Sequence, residues 1–390
     1  MIAYNKTWLA NLRLQMQVKK QLNKGCITDA EFKAIQEKYP VEFYTPNLFV
    51  RIGLIILTCI IVLFGSGLLT LMTGFDAVDK AGWFFFLGAL TYIGLELIVH
   101  VKHHYRSGVD DALLFISGCM FAIGFGMMLF HDNVALPLSF FIFIISLVFT
   151  LRFTDMLMAA VACGAFFAFI FFGWMRIVPS GLNTVSFIMM LVAVGIYLTA
   201  VVSSKKASSI NYENCLVVVQ VISLIALYTA GNYYVVQTLG GEFNSSVNII
   251  VPKPLPFGGF FWAWTILLPF IYLGLGIRKK AATLLRIGLI LIAAAAITFR
   301  TYYHILPVDI TLTIVGAAVL GIAYIIMQYL KSPKHGFTYA EQDDSNMMDN
   351  LKVESLIVAE TFAKVPAAPA NDGIKFGGGD FGGGGSSDSF

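Results

Sequence analysis

Charge is what this chain has least of: only 13% of its 390 residues are Asp, Glu, Lys or Arg, against about 25% in an ordinary soluble domain. So few charges cannot clothe a water-soluble globule when 58% of the residues are hydrophobic and the mean hydropathy is +0.78. Lys and Arg gather into no basic face, and the net charge is only +3, so nucleic acid is excluded as a partner. Cysteine is scarce too. Cys26, Cys59, Cys119, Cys163 and Cys215 show no paired spacing, which excludes a disulfide framework and a CxxC redox or metal motif and leaves free thiols packed as small hydrophobes. Walker A, HExxH and Gly-x-Ser-x-Gly signatures are absent, which counts against familiar membrane-enzyme chemistry. No short apolar region with a small-residue cleavage site precedes Leu48, so no cleavable signal peptide is expected.

What the chain has instead is apolar residues, 34 Phe among them, in blocks of about 20, the length that crosses a bilayer as a helix. The reading is all-α: a polytopic transmembrane helix bundle of about ten spans. They are placed at 50–73, 81–101, 112–130, 134–151, 156–175, 182–202, 215–236, 259–277, 284–303 and 308–330. Basic residues near a span resist translocation and so mark the cytoplasmic loops. With the N-terminus inside, those loops hold Lys102, Arg106, Arg152, Lys205, Lys206, Arg278, Lys279 and Lys280, against Lys80, Arg176, Lys253 and Arg300 opposite. The expected orientation is N-in/C-in. Lipid bilayer is the first implied partner.

Residues 1–47 read as a cytoplasmic helical hairpin. Trp8, Leu12 and Met16 share one face of a first helix, Gly25 ends it, Thr28 with Glu31 forms a capping box for a second, and Pro40 stops that one. A pair of short helices cannot bury a core alone. It must lie on the bundle, on lipid headgroups or on a partner. Residues 48–330 form the bundle, and 331–390 a cytoplasmic tail with a weakly amphipathic helix at 346–364. The end of that tail, FGGGDFGGGGSSDSF, is too rich in glycine to order itself and is expected to be disordered, with Phe376, Phe381 and Phe390 as contact points for a protein partner.

Ionisable groups inside a span are the default functional suspects, because each costs several kcal/mol at bilayer depth unless paired or hydrated. Glu96 is the clear case. Helical spacing sets it in one stripe with His100 and His103 or His104, while Asp110 and Asp111 open the next span across a short loop. A carboxylate beside imidazoles suits a proton relay or a transition-metal ion, the one cofactor these residues would take. The same groups equally suit interfacial pairing of Glu96 with Lys102 or His100. Gln220 and Asn232, with Ser223 and Thr229, interrupt the seventh span and read either as a polar path or as hydrogen bonds between helices. Thr301, Tyr302, Tyr303 and His304 end the ninth span on the same side and would face them as an outer vestibule.

The step Gly25-Cys26-Ile27-Thr28-Asp29-Ala30-Glu31, followed by Tyr39 and a first span containing Gly53 to Gly67, resembles a group of uncharacterised bacterial multi-spanning membrane proteins. These are defined as domains of unknown function with an N-terminal helical hairpin. The resemblance implies a bacterial cytoplasmic (inner) membrane and carries no catalytic residues. The expected function is a transporter or sensor of a small solute or ion, with Glu96, His100, His103 and Asp110 at an inner gate or ion site. The alternative is a scaffold that presents the hairpin and tail to partners of a membrane assembly.

Overall fold

The computed structural model describes residues 2–129, 134–178, 181–245 and 257–303, with scattered helical positions between 310 and 328. The tenth expected span lies almost wholly outside these residues, as do the helix at 346–364 and the Gly-rich tail. Among the described residues the chain is helical throughout and forms no strand beyond an isolated bridge between Tyr44 and His104.

Helices α1 (Lys6–Asn23) and α2 (Asp29–Lys38) form the hairpin. Asn5 caps α1 by accepting from the Thr7 and Trp8 amides, and Gly25, at φ 72°, reverses the chain. The Thr28–Glu31 capping box is formed in both directions. Its Glu31 carboxyl is held below the usual carboxylate range by hydrogen bonds from the Thr28 backbone and hydroxyl.

Nine of the described helices or helical segments are long and apolar enough to cross a membrane, and the chain is a multi-pass membrane protein. They are built on α3 (Leu48–Thr73), α4 (Ala81–Lys102), α5 (Val109–Met128), α6 (Ala135–Phe153), α7 (Met156–Ile177), α8 (Gly181–Ser204), α9 (Glu213–Gly231), α11 (Gly258–Lys279) and α12 (Ala282–Tyr303), with α10 (Tyr233–Ser245) too short to span. A 3-10 turn, Ala207–Tyr212, leads into α9. Short loops make consecutive helices antiparallel partners: α4 with α5, α6 with α7, α8 with α9 and α11 with α12. The seventh expected span, 215–236, is not one continuous helix. It breaks at Asn232, because α9 stops at Gly231 and Asn232 begins α10, its Oδ1 accepting from the Val235 amide at 3.2 Å.

The helices bury two cores. One gathers Cys163 and Phe167 of α7, Ala193 of α8, Tyr228 of α9, Tyr272 of α11 and Ile287 of α12. The other joins Leu95 of α4, Leu114 of α5, Phe149 of α6 and Met158 of α7 to Tyr4 and Leu9 of the hairpin. Thus α7 touches both. The small residues expected to bring helices close act unevenly: a Cβ at Gly118 would meet Phe149 and Met158 at 3.6–3.7 Å, but nothing approaches Gly164 within 4 Å.

At the end of the bundle that carries the hairpin, α4, α6 and α11 each stop on a residue in the left-handed conformation: His103 (φ 53°), Thr154 (φ 51°) and Lys280 (φ 54°). Such a residue turns the chain within a few positions. The resulting loops are short enough for the hairpin to sit across several of them.

Candidate functional site

The hairpin is fastened to the bundle by aromatic contacts and backbone bonds. The Tyr4 ring stands edge-on to Tyr105 (4.9 Å), Phe43 (6.0 Å) and Phe153 (6.3 Å), and Trp8 edge-on to His103 (4.9 Å). Each such pair is worth about 1 kcal/mol beyond its buried area. The Ala3 amide donates to the Arg152 carbonyl at 2.8 Å, and Tyr44 exchanges backbone bonds with His103 and Tyr105. Farther along α1, Arg13 Nη2 donates to the Ile210 carbonyl (2.8 Å) and to Asn211 Oδ1 (3.1 Å) in the turn before α9. The Met16 end of the expected apolar face stays exposed.

Beneath the hairpin the six candidate ion-site residues take several different partners. Glu96 receives Arg152 on both carboxylate oxygens (Nε to Oε1 2.5 Å, Nη2 to Oε2 2.9 Å), the Tyr92 hydroxyl on Oε1 (2.6 Å), and His100 Nε2 against Oε2 at 3.2 Å. A forked Arg–carboxylate pair of this kind ties α4 to α6. His103 turns away to meet Trp8. His104 Nδ1 lies 2.7 Å from Ser107 Oγ, and burial pushes its imidazole below the usual range, with Lys102 adding to this and Asp110 opposing it.

Asp110 is buried and accepts the Arg106 and Ser107 amides (2.7 and 2.8 Å) and the Ser107 hydroxyl (2.9 Å), so it organises the loop ahead of α5. Asp111 receives Arg51 of α3 through Nε (2.9 Å) and Nη2 (2.7 Å). Asp155 caps α7 through the Met158 amide (2.8 Å), and burial pushes its carboxyl above the usual carboxylate range despite that bond. Tyr4, Arg106 and these three aspartates enclose a void of about 10 Å³, about one water in size. Burial first, and the nearby Asp110, hold the Tyr4 phenol well above its ordinary range. Among the described residues no group of three or more His, Cys, Asp or Glu is disposed to hold a metal ion.

Arg152, which engages Glu96, reads in sequence only as a topology mark, and nothing there marks Arg51 as the partner of Asp111. The Tyr92–Glu96 spacing of four was the available local signal; the α4–α6 contact had none.

The second polar set lies at two depths along α9. Asn232 is buried, donating to the Tyr228 hydroxyl (3.0 Å) and Thr298 Oγ1 (3.1 Å), which joins the α9 end to α12. Gln220 sits twelve residues earlier on α9, about 18 Å away along the helix. The expected vestibule facing does hold for Tyr302, whose ring meets Tyr233 at 5.0 Å and Trp262 at 5.7 Å.

A second opening was not anticipated from sequence. A cavity of about 510 Å³ lies between α6, α7, α8 and α9, beside the first core through Cys163, Ile196 and Val219. Phe143, Leu147, Phe166, Ile196 and Val219 line its depth, Cys163 and Cys215 its wall, and Ser203, Ser208, Ser209 and Tyr212 its mouth at the hairpin end. From Phe143 to the end of α6 is ten residues, so the cavity runs about 15 Å inward. Tyr212 fixes one lip by donating to the Leu151 carbonyl at 2.7 Å. No protein-family model, no curated protein and no solved structure matches the chain.

Proposed function

We propose that this multi-pass protein carries or senses a small, mainly apolar solute, which it takes up in the cavity between α6 and α9. The observation that carries the reading is that cavity: 510 Å³, apolar in depth and hydroxyl-lined at one end. It falls within the roughly 300–1,000 Å³ of small-molecule sites, which are likewise apolar with a few polar groups. In this reading the Glu96–Arg152 pair is the brace of the cavity's α6 wall, since Arg152 directly follows the lining residue Leu151. The basic residues at the hairpin end support reading that mouth as cytoplasmic, and with it a bacterial inner membrane as the location.

The test is saturable binding of a neutral apolar dye, N-phenyl-1-naphthylamine, to the full chain in nanodiscs. One site per chain is expected, and it should be lost when the cavity is filled by Leu147→Trp or by Val219→Phe. Binding unaltered in both folded variants would overturn the reading. A scaffold role draws on a different observation: no residue of α2 is buried and only Phe32 and Ile35 are partly covered, so most of its surface is open to a partner. Loss of co-purifying proteins on removal of residues 366–390 would favour that role.

A further inference from the structure

The cavity differs from mouth to depth in a way that specifies a kind of occupant. We propose that it takes a single-chain anionic amphiphile, a fatty acid or a monoalkyl phosphate, with the chain in the cavity and the acid group at the mouth. This rests on the cavity being a solute site and adds the class of solute.

The depth is the first argument. Phe143, Leu147, Phe166, Ile196 and Val219 present only hydrocarbon, so nothing there would satisfy a polar group, and a buried unpaired polar group is costly. The length is the second. About 15 Å of depth matches an extended chain of about twelve carbons, given C–C bonds of about 1.5 Å in a zigzag. A column of 510 Å³ over that depth accommodates one such chain.

The mouth supplies the third argument. Ser203, Ser208 and Ser209 place hydroxyls there, and the exposed Lys205 and Lys206 stand in the turn between them. Arg13 of the hairpin reaches the same turn at Ile210 and Asn211. The one acid in this stretch is Glu213, at the first position of α9. Three cations against one carboxylate favour an anionic head, and hydroxyls beside lysines are hydrogen-bond and charge partners for carboxylate or phosphate oxygens. A neutral head would gain only hydrogen bonds from the serines, and a cationic head would be repelled by the lysines.

The experiment is scintillation-proximity binding of tritiated laurate to the full chain in phosphatidylcholine nanodiscs, with unlabelled dodecyl phosphate or dodecanol as competitor. Laurate should bind at one site per chain, dodecyl phosphate should displace it at least tenfold better than dodecanol, and Lys205→Ala/Lys206→Ala should weaken it about tenfold. Leu147→Trp or Val219→Phe should remove it. Equal competition by dodecanol, or a lysine variant that binds like the parent, overturns the anionic head while leaving the cavity as an apolar site. Laurate binding that survives both cavity-filling variants, or no binding of laurate and dodecanol alike, overturns cavity and class together. Displacement of laurate by phosphatidylglycerol added to the nanodiscs, with dodecyl phosphate inert, would assign the site to a leaflet lipid and overturn the single-chain inference.

Discussion

Arg13 of the N-terminal hairpin donates to the carbonyl of Ile210 at 2.8 Å, across 197 residues of sequence, and so ties the first helix to the turn that forms one lip of the cavity. Replacing it with Ala removes a largely exposed contact, so global stability should fall by no more than about 1 kcal/mol. The local effect should be larger. Amide hydrogen exchange at residues 207–212 should quicken severalfold, and Arg13→Lys, which lacks the planar fork, should restore only part of the protection. Unchanged exchange would show that the hairpin does not restrain the mouth.

Glu96 and Arg152 should behave as a structural pair. Their side chains are 19% and 36% exposed, so solvent screens part of the attraction, and each single variant, Glu96→Gln or Arg152→Met, should cost about 1–2 kcal/mol. The double variant should cost less than the sum, because neither partner is then left facing an unmatched group. Thermal unfolding of the four proteins measures this. Strict additivity would mean that the two groups act separately.

Gly108 combines a φ of 98° with a close approach to α3, where an added Cβ would run into the Arg51 carbonyl. Gly108→Ala should therefore destabilise by about 2 kcal/mol or more, from backbone strain and from separation of α3 and α5. It should also loosen the neighbouring Arg51–Asp111 ion pair. A melting temperature equal to the parent's would contradict the α3–α5 contact.

His104 sets a pH dependence. Its folded pKa lies below the unperturbed value of about 6.5, so the folded imidazole resists a proton that the unfolded chain accepts. Stability from this group is present above that value and falls as the pH drops through about 6.5, until the folded imidazole is protonated as well. The melting temperature should decline more steeply between pH 7.5 and 5.5 in the parent than in His104→Asn. Parallel curves would remove His104 as the source.

Much of the fold was legible because bilayer thickness and backbone hydrogen bonding leave few options for blocks of about 20 apolar residues. The hairpin was equally legible, since the turn at Gly25 and the capping box at Thr28 and Glu31 are local chemistry. Side-chain partnership was not. The spacing of Glu96, His100 and His104 correctly places Glu96 beside His100, yet the groups that engage Glu96 most closely are Tyr92 and Arg152. The break at Asn232 was hidden because Tyr233, Val235 and Val236 keep the run apolar. The cavity was hidden for another reason: its lining comes from four helices, each of which reads as an ordinary span.

The most direct test of the solute site is native mass spectrometry of the full chain released from nanodiscs, parent beside the Leu147→Trp/Val219→Phe double variant. The parent should retain one small apolar molecule per chain after the annular lipid is stripped, and the variant, equally well folded, none. Equal retention by both, or none by the parent even after incubation with laurate, would contradict the assignment of the cavity between α6 and α9 as the functional site.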